Sequence, residues 1–186
     1  LHREEVLARH WWADGGCLDL FADPRASEEA VAAFAGPEGA AEFRAFCARA
    51  ARLYTAFEGP ILRAGRPRLS ALTAHVLRQP ALIAAMAPHQ SLAQSLRAQF
   101  TDPRLAQLFG RYATYVGGSP FHAPAVLGLI WHAEACGVWA VQGGMHRLAR
   151  AMARLAADRG ARFRFNAEAI RIEMQGGRAV AVHLAD

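Results

Sequence analysis

Apolar and polar positions follow three rhythms along the chain. Near the start, Cys17 to Phe21 alternate after His10-Trp11-Trp12 and an Asp14-Gly15-Gly16 turn. That pattern predicts a hairpin over 8–21, with Leu18 and Leu20 on one face and Asp19 on the other. Asp23-Pro24 breaks the strand, and Ser27 is the expected cap of a short helix with Glu28 and Glu29 in its first turn. Gly36-Pro37 opens a longer helix whose apolar stripe runs Phe43, Phe46, Ala50, Leu53, Phe57 in steps of three and four. Glu58-Gly59-Pro60 is the expected stop.

Residues 61–135 are punctuated by Pro67, Pro80, Pro88, Pro103, Pro120 and Pro124. Between these lie helical pieces predicted at 69–78, 80–87, 90–100, 103–112 and 123–134. The third rhythm begins at Val138 to Val141, a short apolar strand followed by a Gln142-Gly143-Gly144 turn. Met145, Leu148, Met152 and Leu155 mark a helix closed by Gly160, Arg162 to Phe165 read as a strand, and Ile170 to Leu184 as a hairpin turning at Gly176-Gly177. The fold class is therefore α+β: a small antiparallel sheet, a mostly helical middle and a strand-helix-hairpin end suggesting part of an α/β layer. Two domains are expected, 1–135 and 136–186.

Composition narrows the function. Hydrophobic residues make up 53% of the 186, enough for a packed core. All 21 basic residues are Arg. Residues 1–60 carry six Arg against ten acids, a net −4, while 61–186 carry fifteen against six, a net +9. The Arg residues are dispersed, with little aromatic interleaving, which weighs against nucleic acid and leaves peripheral contact with anionic lipid open. Cys17, Cys47 and Cys136 lie far apart with no CxxC, which argues against a disulfide framework and a zinc site and favours a reduced, cytoplasmic setting. His122 and His146 lack metal-ligand spacing, and no Ser-His-Asp or Cys-His arrangement follows from spacing. No apolar stretch reaches the ~18 residues of a membrane span. The chain does not begin with Met, which is expected of an excised piece.

Two blocks carry a likeness to a known family. One is Leu108-Phe109-Gly110-Arg111-Tyr112-Ala113-Thr114-Tyr115-Val116-Gly117-Gly118-Ser119-Pro120-Phe121. The other is Gly137-Val138-Trp139-Ala140-Val141-Gln142-Gly143-Gly144-Met145-His146, with Phe165-Asn166-Ala167-Glu168-Ala169-Ile170-Arg171-Ile172 beyond the helix. Together they resemble phytoene desaturase-type flavoproteins of the amine-oxidase class, most of all the methoxyneurosporene dehydrogenase or hydroxycarotenoid 3,4-desaturase branch. Trp12-Ala13-Asp14-Gly15 and Leu18-Asp19-Leu20-Phe21-Ala22-Asp23 fit the same branch.

The resemblance implies a central piece of an FAD enzyme that dehydrogenates an acyclic hydroxy- or methoxy-carotenoid. Residues 1–135 would belong mainly to the substrate domain and 136–186 to the FAD domain, the remainder of which would be a partner. The GxGxxG fingerprint and its ribose-binding acid are absent, so tight FAD binding and turnover by this piece alone are not expected. Cofactor contacts would come from Gly143, Gly144 and the backbone of Ala169, where the family more often has Val. The chemistry asks for an apolar tunnel rather than charged catalysts. Tyr112, Tyr115, Phe121 and Trp139 are the candidate substrate residues; the aromatic ones at 112, 115 and 121 serve equally as core. No catalytic residue is assigned: His132 and Glu134, two apart, point different ways on a helix and read as hydrogen-bonded or surface groups before catalytic ones. Gly143-Gly144 reads either as a plain helix-start turn or as a close approach to flavin or substrate. The stripe Phe43 to Phe57 reads as core, and Leu69, Leu72, Val76, Leu82, Ile83 and Met86 as core, interface or lipid-facing. Arg147, Arg150, Arg154 and Arg159 read as a solvated helix face. Rival readings are another amine-oxidase-class flavoprotein and a helical module binding lipid or a protein partner.

Overall fold

The computed structural model describes residues 1–66 and 68–185, apart from the side chains of Leu69 and Ala71. Pro67 and the Leu69 side chain, both used above, thus lie outside the described residues. The chain forms two compact units, His2–Trp139 and 140–185 with Leu1.

In the first unit, Val6–Trp11 pairs antiparallel with Cys17–Phe21. Leu18 and Leu20 are buried, while Asp19 faces outward and binds Arg9 at 2.7 Å. Helix α1 (Pro24–Phe57) begins earlier than the sequence suggests. Asp23 caps it, accepting from the Arg25 N–H at 2.9 Å, because Pro24 already has the torsion of a first helical position. Ser27 is not the cap. It is buried, donating its hydroxyl to the Phe21 carbonyl and accepting from the Phe21 N–H, so it ties helix to hairpin. Gly36 (φ 79°, ψ 176°) lies outside helical torsions and is followed by Pro37, so α1 is two helices joined at a kink. The stop expected at 58–60 is instead a wide π turn, Glu58–Leu62, closed by the Arg63 N–H on the Glu58 carbonyl.

The stripe on α1 is fully used. Phe43, Phe46 and Ala50 pack in a core with Leu92, Leu96, Phe100, Leu105 and Trp131, around Phe109. Leu53 and Phe57 pack in a second cluster with Leu82 and Ala85. The smaller helices are α2 (Leu69–Leu77), α3 (Pro80–Met86), α4 (Leu92–Gln99), α5 (Pro103–Gly110) and α6 (Ile130–Ala135). Ser91 and Gln94 form a capping box at the start of α4. Arg49, half-buried, crosses from α1 to the Ala85 carbonyl and the Ser95 hydroxyl, both at 2.8 Å. The apolar face of α2 and α3 turns inward: Leu82 is buried and Leu72, Val76 and Met86 pack on the second cluster. Two predicted α segments are partly 3-10: Arg111–Val116 after α5 and Ala125–Leu129 before α6. The strand read at 138–141 shrinks to Trp139–Ala140.

The second unit has helix α7 (Met145–Asp158) and a hairpin of Ala169–Gln175 with Arg178–Leu184. Arg162 to Phe165 is not a strand. Its alternation suits a sheet, but an isolated segment without a ladder partner has nothing to hold it extended. No α/β layer forms among the described residues. The α+β class stands on helices with small two-stranded sheets.

Candidate functional site

Three features of the fold meet where α5 ends. The chain passes from α5 into the 3-10 turn Arg111–Val116, in which residues three apart share a side. Tyr112 and Tyr115 therefore face the same way, ring centroids 6.0 Å apart. Helix α6 brings Glu134 to them. Its Oε2 accepts from Arg111 Nη2 at 2.5 Å and from the Tyr112 hydroxyl at 2.9 Å; its Oε1 accepts from Arg111 Nη1 and the Tyr115 hydroxyl, each at 3.1 Å. The Arg111 guanidinium also lies 4.7 Å from the centre of the Tyr112 ring.

Electrostatics follow from this packing. Burial pushes the Tyr112 phenol well up, and burial plus the bond to Glu134 raises Tyr115. Burial is the largest influence on Arg111 and works against its charge, but the Glu134 bond and the charge interactions with Tyr112, Glu134 and Tyr115 together outweigh it, and the Arg111 pKa rises. Four donors on one carboxylate fix the positions of Arg111, Tyr112 and Tyr115 relative to α6.

Beside it, α4, α5 and the 120–121 segment enclose a cleft of about 550 Å³. Phe100, Pro103, Ala106, Gly110, Pro120 and Phe121 make its walls predominantly apolar. The Arg97 guanidinium lies 5.5 Å from the Phe121 ring centre, and Phe121 is 59% exposed. A second hollow of about 330 Å³, on the other side of Gln107, is lined by His10, Trp11, Trp12, Leu108 and Arg111. The Trp12 indole N–H donates to Gln107 Oε1 at 2.9 Å, fixing that wall.

The predicted site residues do not converge. Tyr112 and Tyr115 meet at Glu134, Tyr112 within the core and Tyr115 at its surface. Phe121 lines the larger cleft. Trp139 lies apart, under the Arg3 guanidinium at 5.8 Å. His132 and Glu134 do point apart, the His132 ring packing on Tyr54 at 5.0 Å. Sequence reasoning missed Arg111. The Arg111–Glu134 pair spans 23 residues, and no local spacing announces it.

In the second unit, Gly144 takes φ 88°, ψ 163°, a conformation almost confined to glycine, and caps α7. A Cβ on Gly143 would come within 2.8 Å of Arg147 Nε, whereas one on Gly144 would meet open space. Another group can therefore come close to the turn at Gly144. Ala169 opens the hairpin, exposed, paired with Leu184. Arg147, Arg150, Arg154 and Arg159 are exposed, the first three around a shallow hollow. Among the described residues no three His, Cys, Asp or Glu are placed to hold a metal ion, and no helix is long and apolar enough to cross a membrane.

Comparison with known proteins gives a consistent result. A family model for flavin containing amine oxidoreductases matches residues 7–186. The chain is 57% identical to a hydroxyneurosporene desaturase of Cereibacter sphaeroides, over 98% of its own length and 37% of that relative's. The hydroxyneurosporene desaturase of Rhodobacter capsulatus is 49% identical over 96% of this chain and 36% of its own. The one from Rubrivivax gelatinosus is 47% identical, over 97% and 35%. The chain thus spans a little over a third of the length of these relatives.

Proposed function

The chain belongs to the flavin-containing amine oxidoreductase family, and from that premise we propose that it is the substrate-handling part of an FAD-dependent desaturase acting on acyclic hydroxylated carotenoids. The observation that carries this reading is 57% identity to a hydroxyneurosporene desaturase across nearly the whole chain. In this reading 1–135 serves the substrate and 136–186 serves the flavin.

FAD, when bound, would accept the hydride while the neighbouring carbon gives up a proton. The residues present suit contact with one edge of such a group. The Gly143-Gly144 turn is open on the Gly144 side, and the Ala169 backbone sits on an exposed strand. They do not suit the diphosphate, because no GxGxxG turn occurs in the sequence.

The chain's own work is to hold an apolar polyene and keep water from it. The cleft between α4 and α5 supports this, since its walls are largely apolar and close to the hydrogen-bonded Glu134 cluster. Phe121 and the exposed edge of Tyr115 would contact the polyene, and Tyr112 would brace Tyr115. A substrate this apolar would be drawn from a membrane surface by a peripherally bound enzyme.

The test is turnover by the complete enzyme on acyclic carotenoids, followed by the red shift of the polyene absorption. Ala106→Trp, which fills the cleft, should lower turnover at least several-fold without loss of bound flavin. Flavin-loaded enzyme that shifts no carotenoid spectrum would remove the desaturase reading. A second reading, an amine-oxidase-class enzyme with another apolar substrate, would then take its place.

A further inference from the structure

We propose that Arg97 is a specificity-determining residue of the cleft between α4 and α5, its guanidinium donating to an oxygen carried at the end of the substrate chain. The inference rests on the reading that this cleft takes an acyclic oxygenated polyene, and it adds which residue reads the oxygen. It starts from the charges in the walls. Of the described residues that line the cleft, Arg97 alone is charged, among walls that are otherwise mostly apolar. Among the described residues no carboxylate pairs with it and no hydrogen bond uses its N–H groups. The guanidinium instead lies over the Phe121 ring, 5.5 Å from its centre, and Phe121 lines the same cleft.

Hydrogen-bonding capacity selects the ligand. The other polar side chains of the wall are Thr101 and Gln107. The Thr101 hydroxyl donates to Glu42 Oε1 at 2.6 Å, and Gln107 Oε1 accepts from the Trp12 indole at 2.9 Å. A guanidinium donates and never accepts. Arg97 thus has donors to spare, and its complement is an acceptor oxygen on an otherwise apolar molecule. The oxygens of an alcohol and of a methyl ether both accept; the end of a hydrocarbon chain does not. An ammonium would meet a like charge. A carboxylate would accept as well, so the charge of the ligand's head is one variable of the test.

The neighbouring ring gives this donor a fixed place. Arg97 comes from α4 and Phe121 from the segment after the 3-10 turn. The face of the ring attracts the cation and holds it at the cleft rather than loose in solvent. The cleft, about 550 Å³, has the size of a small-molecule site. Because Arg97 is exposed, water competes for its N–H groups, and the preference it confers is several-fold rather than thousands-fold.

The experiment uses the complete, flavin-loaded enzyme and three matched acyclic carotenoids: the alcohol, its methyl ether and the parent hydrocarbon. Wild type should favour both oxygenated substrates over the hydrocarbon by kcat/KM. In Arg97→Met, which keeps an apolar stem without the donors, that advantage should fall roughly fivefold, through KM rather than kcat, as expected for one hydrogen bond from an exposed cation. Arg97→Lys, still a donor and a cation, should retain part of it. Binding of a short tertiary alcohol, 2,6-dimethyl-2-heptanol, followed by saturation-transfer NMR, needs no turnover. It should bind wild type more tightly than 2,6-dimethylheptane does, and lose that advantage in Arg97→Met. If the enzyme desaturates no carotenoid yet binds the alcohol in this Arg97-dependent way, the desaturase reading fails and the Arg97 site stands. If it desaturates carotenoids but Arg97→Met keeps the wild-type preference, or alcohol and hydrocarbon bind wild type equally, the desaturase reading stands and the proposal is overturned. It is overturned too if the matching carboxylate, 2,6-dimethylheptanoate, is the one probe whose binding depends on Arg97, since the site would then select anions.

Discussion

A single oxygen of Glu134, Oε2, holds both the Arg111 guanidinium at 2.5 Å and the Tyr112 hydroxyl at 2.9 Å, joining α6 to the turn after α5. The pair is mostly enclosed, with side chains 32% exposed for Arg111 and 16% for Glu134. Glu134→Gln keeps an acceptor for one phenol but leaves the guanidinium without its counter-charge. The cost should fall between that of an exposed pair and a buried one, about 2 kcal/mol. Urea unfolding should show a lower midpoint with unchanged slope, and Tyr115 should become more accessible to nitration.

Cys47 gives the pH dependence. Its thiol accepts from the Trp131 indole N–H at 3.0 Å, and burial pushes its pKa up to about 11. The unfolded chain loses this proton at lower pH than the folded one, so stability should fall as pH rises from about 9 toward 11. At neutral pH, iodoacetamide should label exposed Cys17 and Cys136 and spare Cys47 until urea is added. Mass spectrometry of the alkylated peptides reads this directly.

Ser27→Ala should be costly for so small a change. The hydroxyl satisfies both the N–H and the carbonyl of Phe21, and the site is closed to water. Removing it orphans two backbone groups, for a loss of about 1–3 kcal/mol in chemical denaturation. Ser27→Thr would not serve as rescue, since its extra methyl has no room in a packed core.

Gly144→Ala separates backbone from space. The added methyl meets nothing, yet the torsions at φ 88° are unsuited to alanine, so strain of about 1–3 kcal/mol should appear. If the turn lies against the flavin, the complete enzyme should also be purified with less of it, measured by absorbance at the flavin band.

Much of the fold was legible because periodic burial is a local signal. The steps from Phe43 to Phe57 place all five residues in the core, and the alternation of Leu18 and Leu20 puts both inside. Failures came where a residue's role depends on distant chain. Ser27 reads as a cap until Pro24 is allowed to start the helix, after which it is free to staple the hairpin. Arg162 to Phe165 alternates well but has no strand to pair with. For the site, Tyr112 and Tyr115 stand out as aromatic residues of a resembled block, and Glu134 reads as a hydrogen-bonded or surface acid, but nothing local names its partners. The two phenols, three residues apart, share a side of the 3-10 turn, whereas the helix predicted from the sequence ends at 112 and leaves Tyr115 outside it.

On α7 and the hairpin that follows, Met145, Met152, Leu155, Ile170, Ile172, Val180 and Val182 all stand more than half open to solvent. So much aliphatic surface makes a polypeptide adhesive. Purified without a covering layer, it should self-associate as concentration rises, with mild detergent restoring a single species in sedimentation. Anyone preparing it for crystallisation or labelling will have to contend with that stickiness before any question of chemistry.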